Sequence, residues 1–453
     1  MQRRYLVQWI ALLALGVGAC APSPDATDRV TEAAVAPVDA PDFTCAEDNG
    51  GITLPAGFCA VVFADELGVT RHIAIAANGD AYVSSRPMRR RDDSGEIVVD
   101  NPGGVVALRD ADGDGLAETV AQVNEVAGTG IALHEGYLYY ASTTEIWRVA
   151  RAPGELLPSG TPELIVGGFP SQGQHASKPF AFDGEGNLYV TVGAPSNACQ
   201  EEMRKAGSPG LDPCPQLELQ AGIWRFAGDV AGQMHGTDGE RYGIGIRNAM
   251  GLDWDHGENA LYAMQHGRDS LFDLWGDLFT TDQSAEIPAE EMFRVSPGAD
   301  FGWPYCYFDP IAGRKVLAPE YGGDGVEAGA CADMAATIAH FPAHWAPNDL
   351  LFYSGGSFPA RYEGGAFIAF HGSWNRAPFP QQGYNVVYQP FADGSPAGDF
   401  EVFAAGFSGV EEITTPGQAA HRPTGLGQGP DGSLYVVDDR GGRVWRIRAT
   451  SVE

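Results

Sequence analysis

The chain has 453 residues, with 28 Lys plus Arg against 59 Asp plus Glu and a formal net charge of −31. That excess of carboxylate excludes ordinary nucleic-acid binding, which requires a surplus of cations against phosphate. Hydrophobic residues at 44% supply a large core, and charged residues at 19% are too few for a disordered polyelectrolyte.

At the N-terminus, Arg3 and Arg4 precede an apolar run over 9–15 and then Val17-Gly18-Ala19-Cys20. Residues 1–20 therefore read as a secretory signal, too short for a membrane span. The small residues before Cys20 resemble the lipobox of bacterial lipoproteins, whose cysteine becomes the acylated first residue. An ordinary signal cleaved near Cys20 is the alternative. Residues 21–42, rich in Ala, Pro, Asp and Val without apolar periodicity, read as a flexible linker, and one folded domain spans 43–453. The expectation is an exported protein, facing the periplasm or the outside, that meets the membrane through its lipid anchor alone.

The other six cysteines, Cys45, Cys59, Cys199, Cys214, Cys306 and Cys331, fall into three pairs of near neighbours, as disulfides of an oxidising compartment do. Local closure favours 45–59, 199–214 and 306–331. A zinc site is the rival, and no C-x-x-C spacing supports it.

With 60 Gly, 31 Pro and no extended 3.6-residue apolar period, turns are abundant and helices few. One pattern recurs six times: a small or polar turn, then a short strand with a central aromatic, at Tyr82, Tyr139, Tyr189, Tyr262, Phe367 and Tyr435. Three instances lead into an outer strand, Ile146-Trp147-Arg148-Val149, Ile223-Trp224-Arg225-Phe226 and Val444-Trp445-Arg446-Ile447. The spacing is too irregular for a solenoid and fits four-stranded blades with unequal insertions. The predicted fold is all-β, a six-bladed β-propeller, its last blade completed by a strand near 59–63. A pair of β-sandwiches is the rival architecture. Propellers carry function on the loops around their channel, so residues flanking these strands matter most.

Four constellations could carry chemistry. Asp110-Ala111-Asp112-Gly113-Asp114-Gly115 alternates carboxylates before a glycine, as a Ca²⁺ loop does, but its twelfth position is Ala121, and an acidic hairpin turn is the alternative. His175, beside Lys178 and just before the third repeat, has the chemistry of a general base with an anion-binding neighbour; a structural histidine is the bland alternative. In Gly245-Ile246-Arg247-Asn248, a five-donor fork sits next to a side-chain amide, suited to the oxygens of a flat polar ligand or to a surface ion pair. Arg376 and Arg422 flank the fifth and sixth strands. Convergence of Lys178, Arg247, Arg376 and Arg422 in so anionic a chain would imply an anionic ligand held by short-range pairing.

Taken with Gln265-His266-Gly267-Arg268-Asp269, Pro288-Ala289-Glu290-Glu291, the run 299–306, Phe370-His371-Gly372-Ser373-Trp374-Asn375-Arg376 and the run 430–439, these residues resemble the soluble quinoprotein glucose/sorbosone dehydrogenases, nearest the sorbosone dehydrogenase-like branch. The resemblance runs from about residue 71 to 447. It implies pyrroloquinoline quinone (PQQ) and Ca²⁺ as cofactors and oxidation of a sugar or sorbosone-like substrate, with electrons passing to an acceptor of the respiratory chain. It implies His175 as the base, and Arg247 and Asn248 as contacts of the quinone oxygens, with Arg247 stabilising the reduced form. Lys178, Arg376 and Arg422 then lie near the carboxylate-binding cations. The carbonyls of Gly267, Arg268 and Phe301 and the Glu290 carboxylate match the family's Ca²⁺ ligands. The sequence departs at Ala194, where the glucose-oxidising branch has an aspartate pairing with the base, which puts glucose itself in doubt as the substrate. The alternatives are a carbohydrate-binding or scaffold propeller without redox chemistry, and a Ca²⁺-dependent sugar lactonase. Cys20→Ser is expected to move the full-length protein from the detergent-extracted membrane fraction to the soluble one; retention in the membrane would contradict the lipid anchor.

Overall fold

The computed structural model of the protein describes residues 43–92 and 94–450; the signal, Cys20 and the linker to residue 42 lie outside the described residues. The repeated aromatic strands are the second strands of six sheets set around a central channel, antiparallel except for a short parallel edge strand on the second and third. Their innermost strands, in chain order, are Val69–Ile75, Ile131–His134, Phe180–Phe182, Ala249–Asp255, Pro347–Phe352 and Pro423–Gln428. The fold is a six-bladed β-propeller. Blade 6 closes the ring across the termini: Phe58–Ala64 pairs antiparallel with Val444–Ala449, Phe58 opposite Ala449. The three strands expected to be outer are third in their blades: one further strand lies outside Val444–Ala449, and two lie outside each of Ile146–Ala150 and Gly222–Ala227.

Blade centres are buried on both faces because each sheet lies between two others, which is why these strands read as continuous apolar runs. Phe367, Ile368, Ala369 and Phe370 are all fully buried, as are Leu434, Val436 and Val437. The marker aromatics are at most 2% exposed. Several of their hydroxyls reach the next blade, Tyr82 donating to the Leu156 carbonyl, Tyr139 to Gly228 and Tyr262 to Gly394. At the channel wall, buried carboxylates bridge successive inner strands: Asp253 accepts from the Phe352 N–H and Asp349 from the Leu426 N–H. Burial pushes the Asp253 carboxyl up to about 7 and raises that of Asp349 strongly.

All three near-neighbour cysteine pairs, 45–59, 199–214 and 306–331, are disulfides. Two channel mouths result. One, where the inner strands end, is lined by apolar strand residues with His134 and Asp183, and the other, where they begin, holds the functional side chains. Phe367 packs among Tyr353, Phe358, Tyr362, Tyr388 and Phe403. Phe367→Ala is therefore expected to lower the unfolding free energy by about 3–5 kcal/mol in urea titration; a loss below about 1 kcal/mol would contradict this packing.

Candidate functional site

At the mouth where the inner strands begin is a cavity of about 720 Å³. Its walls carry five guanidiniums, from Arg71, Arg86, Arg89, Arg204 and Arg247, against three carboxylates, from Asp269, Glu290 and Asp439. Burial pushes Glu290 up to about 8, so near pH 7 two ionised carboxylates face five cations. Burial opposes ionisation of Asp269 too, but Arg247 and Arg204 hold it well below the usual carboxylate range, as His371 and Arg71 do for Asp439. The surplus positive charge stands inside a protein of charge −31.

Arg247 is 2% exposed, on the turn into blade 4. Its guanidinium donates to the Asn197 carbonyl at 3.2 Å, Asn197 Oδ1 at 3.0 Å, the Gly267 carbonyl at 2.9 Å and Asp269 Oδ2 at 2.8 Å. Asp269 is fixed in turn by Arg204 at 2.8 Å and by the Asn375 amide at 3.0 Å. Asn248 shares the same wall.

His175 sits on the loop into blade 3 with φ 51°, a left-handed backbone that a histidine adopts only when its surroundings fix it. Gly193 makes room: a β-carbon there would come within 2.6 Å of the His175 Cβ. The Ala194 carbonyl lies 2.6 Å from Nδ1. A carbonyl can only accept, so Nδ1 carries the proton and Nε2 keeps its lone pair. The ring at the position where an aspartate was missed is thus oriented by the main chain. Burial, and then Arg247, push its pKa down to about 3, so the imidazole is neutral at physiological pH.

Three expected cations do not reach the cavity. Lys178 is fully buried, donates to the Ala176 carbonyl at 2.7 Å and lies over the Phe169 ring; burial pushes it down to about 7. Arg376 is spent on the Ala285 and Pro380 carbonyls and Glu286, and Arg422 on the His371 and Gly372 carbonyls. The loops of Lys178 and Arg376 reach the cavity through Ser177 and Asn375, but backbone acceptors turn these two side chains away. Arg71, Arg86, Arg89 and Arg204 occupy the cavity in their place. Arg71 begins the first inner strand, a position the repeat marks. Arg204 lies in Glu201-Glu202-Met203-Arg204-Lys205, which reads as a solvated charge run.

Of the expected metal ligands, Glu290 and Gly267 line the cavity, where the Glu290 oxygens accept from the Gly267 and Ala346 N–H groups. Arg268 lines a narrow adjoining cleft, its side chain paired with Glu320 at 2.7 Å. Phe301 leaves the set: it stacks on Phe293, and the Lys315 ammonium occupies its carbonyl at 2.9 Å. Far from this mouth, Asp110, Asp112 and Asp114 gather with Glu118, their oxygens within 4.8 Å of one another, so the ninth residue of that loop supplies the carboxylate that Ala121 lacks. Asp110 is also paired with Arg446 at 3.1 Å.

With this geometry the chain matches the TrAA12-like family model over residues 52–450, and it belongs to that family. It is 26% identical over 240 residues, 47% of this chain, to a pyrroloquinoline quinone-dependent pyranose dehydrogenase of Coprinopsis cinerea. The matched stretches span less than half the length of the curated relatives the chain matches, and 32% of the Coprinopsis protein. Among solved structures, the holo PQQ domain of the Coprinopsis pyranose dehydrogenase aligns with TM-score 0.68 at 20% identity, covering 90% of this chain and 99% of that one. A Trichoderma reesei structure of carbohydrate-active enzyme family AA12 aligns with TM-score 0.70 at 17% identity, covering 88% and 98%. Likenesses at this identity establish the fold.

The half-buried histidines of the cavity set a pH dependence. His175 and His266 are pushed down to about 3 and about 4 by burial, whereas an unfolded imidazole takes its proton near 6.5. Below that pH the unfolded chain binds protons the folded chain refuses, so their contribution is full above about 6.5 and is lost as pH falls toward 4. Each is worth at most about 1.4 kcal/mol per pH unit. Glu290 runs the other way, its contribution present below about 4.5 and lost as pH rises through about 8. Between pH 7 and 5 the histidines lose stability while Glu290 gains it, so the difference between proteins is the test: in urea unfolding His175→Gln is expected to lose less stability, or gain more, than wild type over this interval, and equal changes would contradict a neutral His175.

Proposed function

We propose that the protein is a quinoprotein oxidoreductase that holds PQQ in the cationic cavity and oxidises a sugar or sorbosone-like substrate at a CH–OH or aldehyde group. The observation that carries this reading is the charge of the site: five guanidiniums facing two ionised carboxylates around a neutral histidine, in a chain of charge −31. PQQ is a planar tricarboxylate, and that surplus is complementary to it. Two buried polar atoms of cavity residues, Arg71 Nε and Asn375 Oδ1, have no partner among the described residues, as in a site whose hydrogen bonds a ligand completes. Membership of the TrAA12-like family supports the same reading.

In this reading Arg247 and Asn248 hold the quinone's oxygens, and Arg71 and Arg86 face its carboxylates. When bound, the quinone supplies the acceptor for the two electrons that leave the substrate carbon as hydride. His175 Nε2 takes the hydroxyl proton, its ring held by the Ala194 carbonyl. The pKa near 3 suits an idle site, and negative charge brought by the ligand raises it toward working range. The electrons then leave to an acceptor of the respiratory chain. The three disulfides fit an exported protein.

Ca²⁺ would be held through Glu290, a buried carboxylate whose two oxygens accept only backbone N–H groups, while the Gly267 carbonyl already accepts from Arg247. Phe301 plays no part in that site, and the Asp110 cluster would hold a separate, structural ion. A lactonase would need a carboxylate free to activate water at an open metal, and the ionised carboxylates of this cavity are spoken for, Asp269 by Arg204 and Arg247 and Asp439 by Arg71 and His371.

Reconstituted with PQQ and Ca²⁺, the chain from residue 21 is expected to reduce a dye acceptor at the expense of aldoses. Arg247→Ala and His175→Ala should each lower kcat/KM by at least about a hundredfold. Chelation of Ca²⁺ should weaken the wild type and leave Glu290→Gln unaffected. A PQQ-loaded wild type without dye reduction on any sugar would leave the binding or scaffold reading.

A further inference from the structure

The connection between the second and third strands of blade 3, residues 193–221, is held at both ends and in the middle. The Cys199–Cys214 disulfide closes it, and the Tyr321 ring packs against Gly210, its hydroxyl donating to the Ala198 carbonyl. Asn197 anchors it to the site floor, donating to the Asp269 carbonyl and accepting from the Asp269 N–H and from Arg247. Met203 receives the Gln174 amide at 3.4 Å, one residue before His175. The loop thus forms a strap from the His175 loop to Asp269 along the rim of the cavity.

Arg204 stands on this strap with φ 57°, its N–H held by Gln200 at 3.0 Å. Its guanidinium donates to Asp269 Oδ2 at 2.8 Å, and among the described residues that carboxylate is its single acceptor. A guanidinium has five N–H donors, so most of this one is unspent. Its side chain is 32% exposed against 3% for Arg247, whose donors are used on three further oxygens besides Asp269. Asp269 therefore joins two cations of different kinds, one buried at the floor with four of its five donors used, one pinned but open at the mouth. Arg89, also at the rim, is exposed and makes no anchoring contact among the described residues, and Arg86 is tied to Ser177.

Resting on the quinoprotein reading, we propose that Arg204 contacts the substrate rather than the cofactor and sets specificity by donating to a sugar oxygen, either a hydroxyl or a carboxylate. The position is pre-organised by Asp269 and by the strap, so little freedom is lost on binding. A site with committed donors discriminates against sugars that leave them unpaired. A carboxylate would engage the fork through two parallel bonds, a hydroxyl through one.

The test compares wild type, Arg204→Gln and Arg204→Lys, with PQQ affinity read from quinone absorbance and with KM and kcat for glucose and glucuronate. The expected result for Arg204→Gln is PQQ affinity within about twofold of wild type, kcat little changed, and KM raised about tenfold or more, with the lysine variant between. A KM rise confined to glucuronate identifies a carboxylate partner, and a rise for both sugars a hydroxyl. An unchanged KM for both sugars overturns the proposal, as does a loss of PQQ affinity that accounts for the KM change. Should the wild type fail to bind PQQ, the quinoprotein reading falls separately. Calorimetric binding of glucose and glucuronate to the quinone-free protein then decides: weaker binding by Arg204→Gln supports the role of Arg204, and equal binding, or none to the wild type, overturns it.

Discussion

A guanidinium buried to 2% exposure needs acceptors for its donors, and the four bonds that Arg247 makes organise the site. Its partners come from two segments that are distant in sequence: the disulfide-closed strap at Asn197 and the turn that carries Gly267 and Asp269. Removing one member of such a buried pair strands the other charge and typically costs about 3–5 kcal/mol. That penalty holds the strap, the blade 4 turn and, through Asn375, the blade 5 loop in one arrangement. After burial, Arg247 is the next cause of the lowered proton affinity of His175, so the residue that organises the shape of the site also adds to keeping the imidazole neutral.

The overall charge and the charge of the cavity have opposite signs, and distance reconciles them. Exposed carboxylates act over roughly a Debye length, about 8 Å at physiological ionic strength, whereas groups inside the cavity act on a ligand in contact with them. An anionic cofactor would gain little from steering and much from pairing once seated. The rest of the propeller is arranged to keep that mouth rigid: buried aromatics lock blade against blade, and Asp253 and Asp349 tie successive inner strands together.

The fold was legible because its signal is local and repeated. Each blade contributes a turn and an aromatic strand, as at Tyr189 and Tyr435, and the closing strand at Phe58–Ala64 follows from the need to cover an edge. The site was legible where backbone and side chain act together, as in the glycine-flanked Arg247-Asn248 turn and at His175. It was not legible where only side-chain direction matters. Arg376 and Arg204 both lie in loops near the channel, yet one is drawn to the Ala285 and Pro380 carbonyls and the other reaches the cavity, and no sequence pattern encodes where those acceptors stand. The Ala194 position shows the converse: a missing carboxylate is replaced by a main-chain carbonyl, which every residue carries.

The claim on which all of this rests is that the cavity takes a polyanionic quinone by pairing it with arginines. Titration of PQQ absorbance with the chain from residue 21 tests it most directly, at two ionic strengths and with Arg71→Ala and Arg247→Ala as controls. The expected result is saturation at one quinone per chain at micromolar concentration or below, weakened in both variants, with little loss at high salt because the pairs are buried. Absence of a saturable spectral change at micromolar quinone, or equal binding by wild type and both variants, would contradict it.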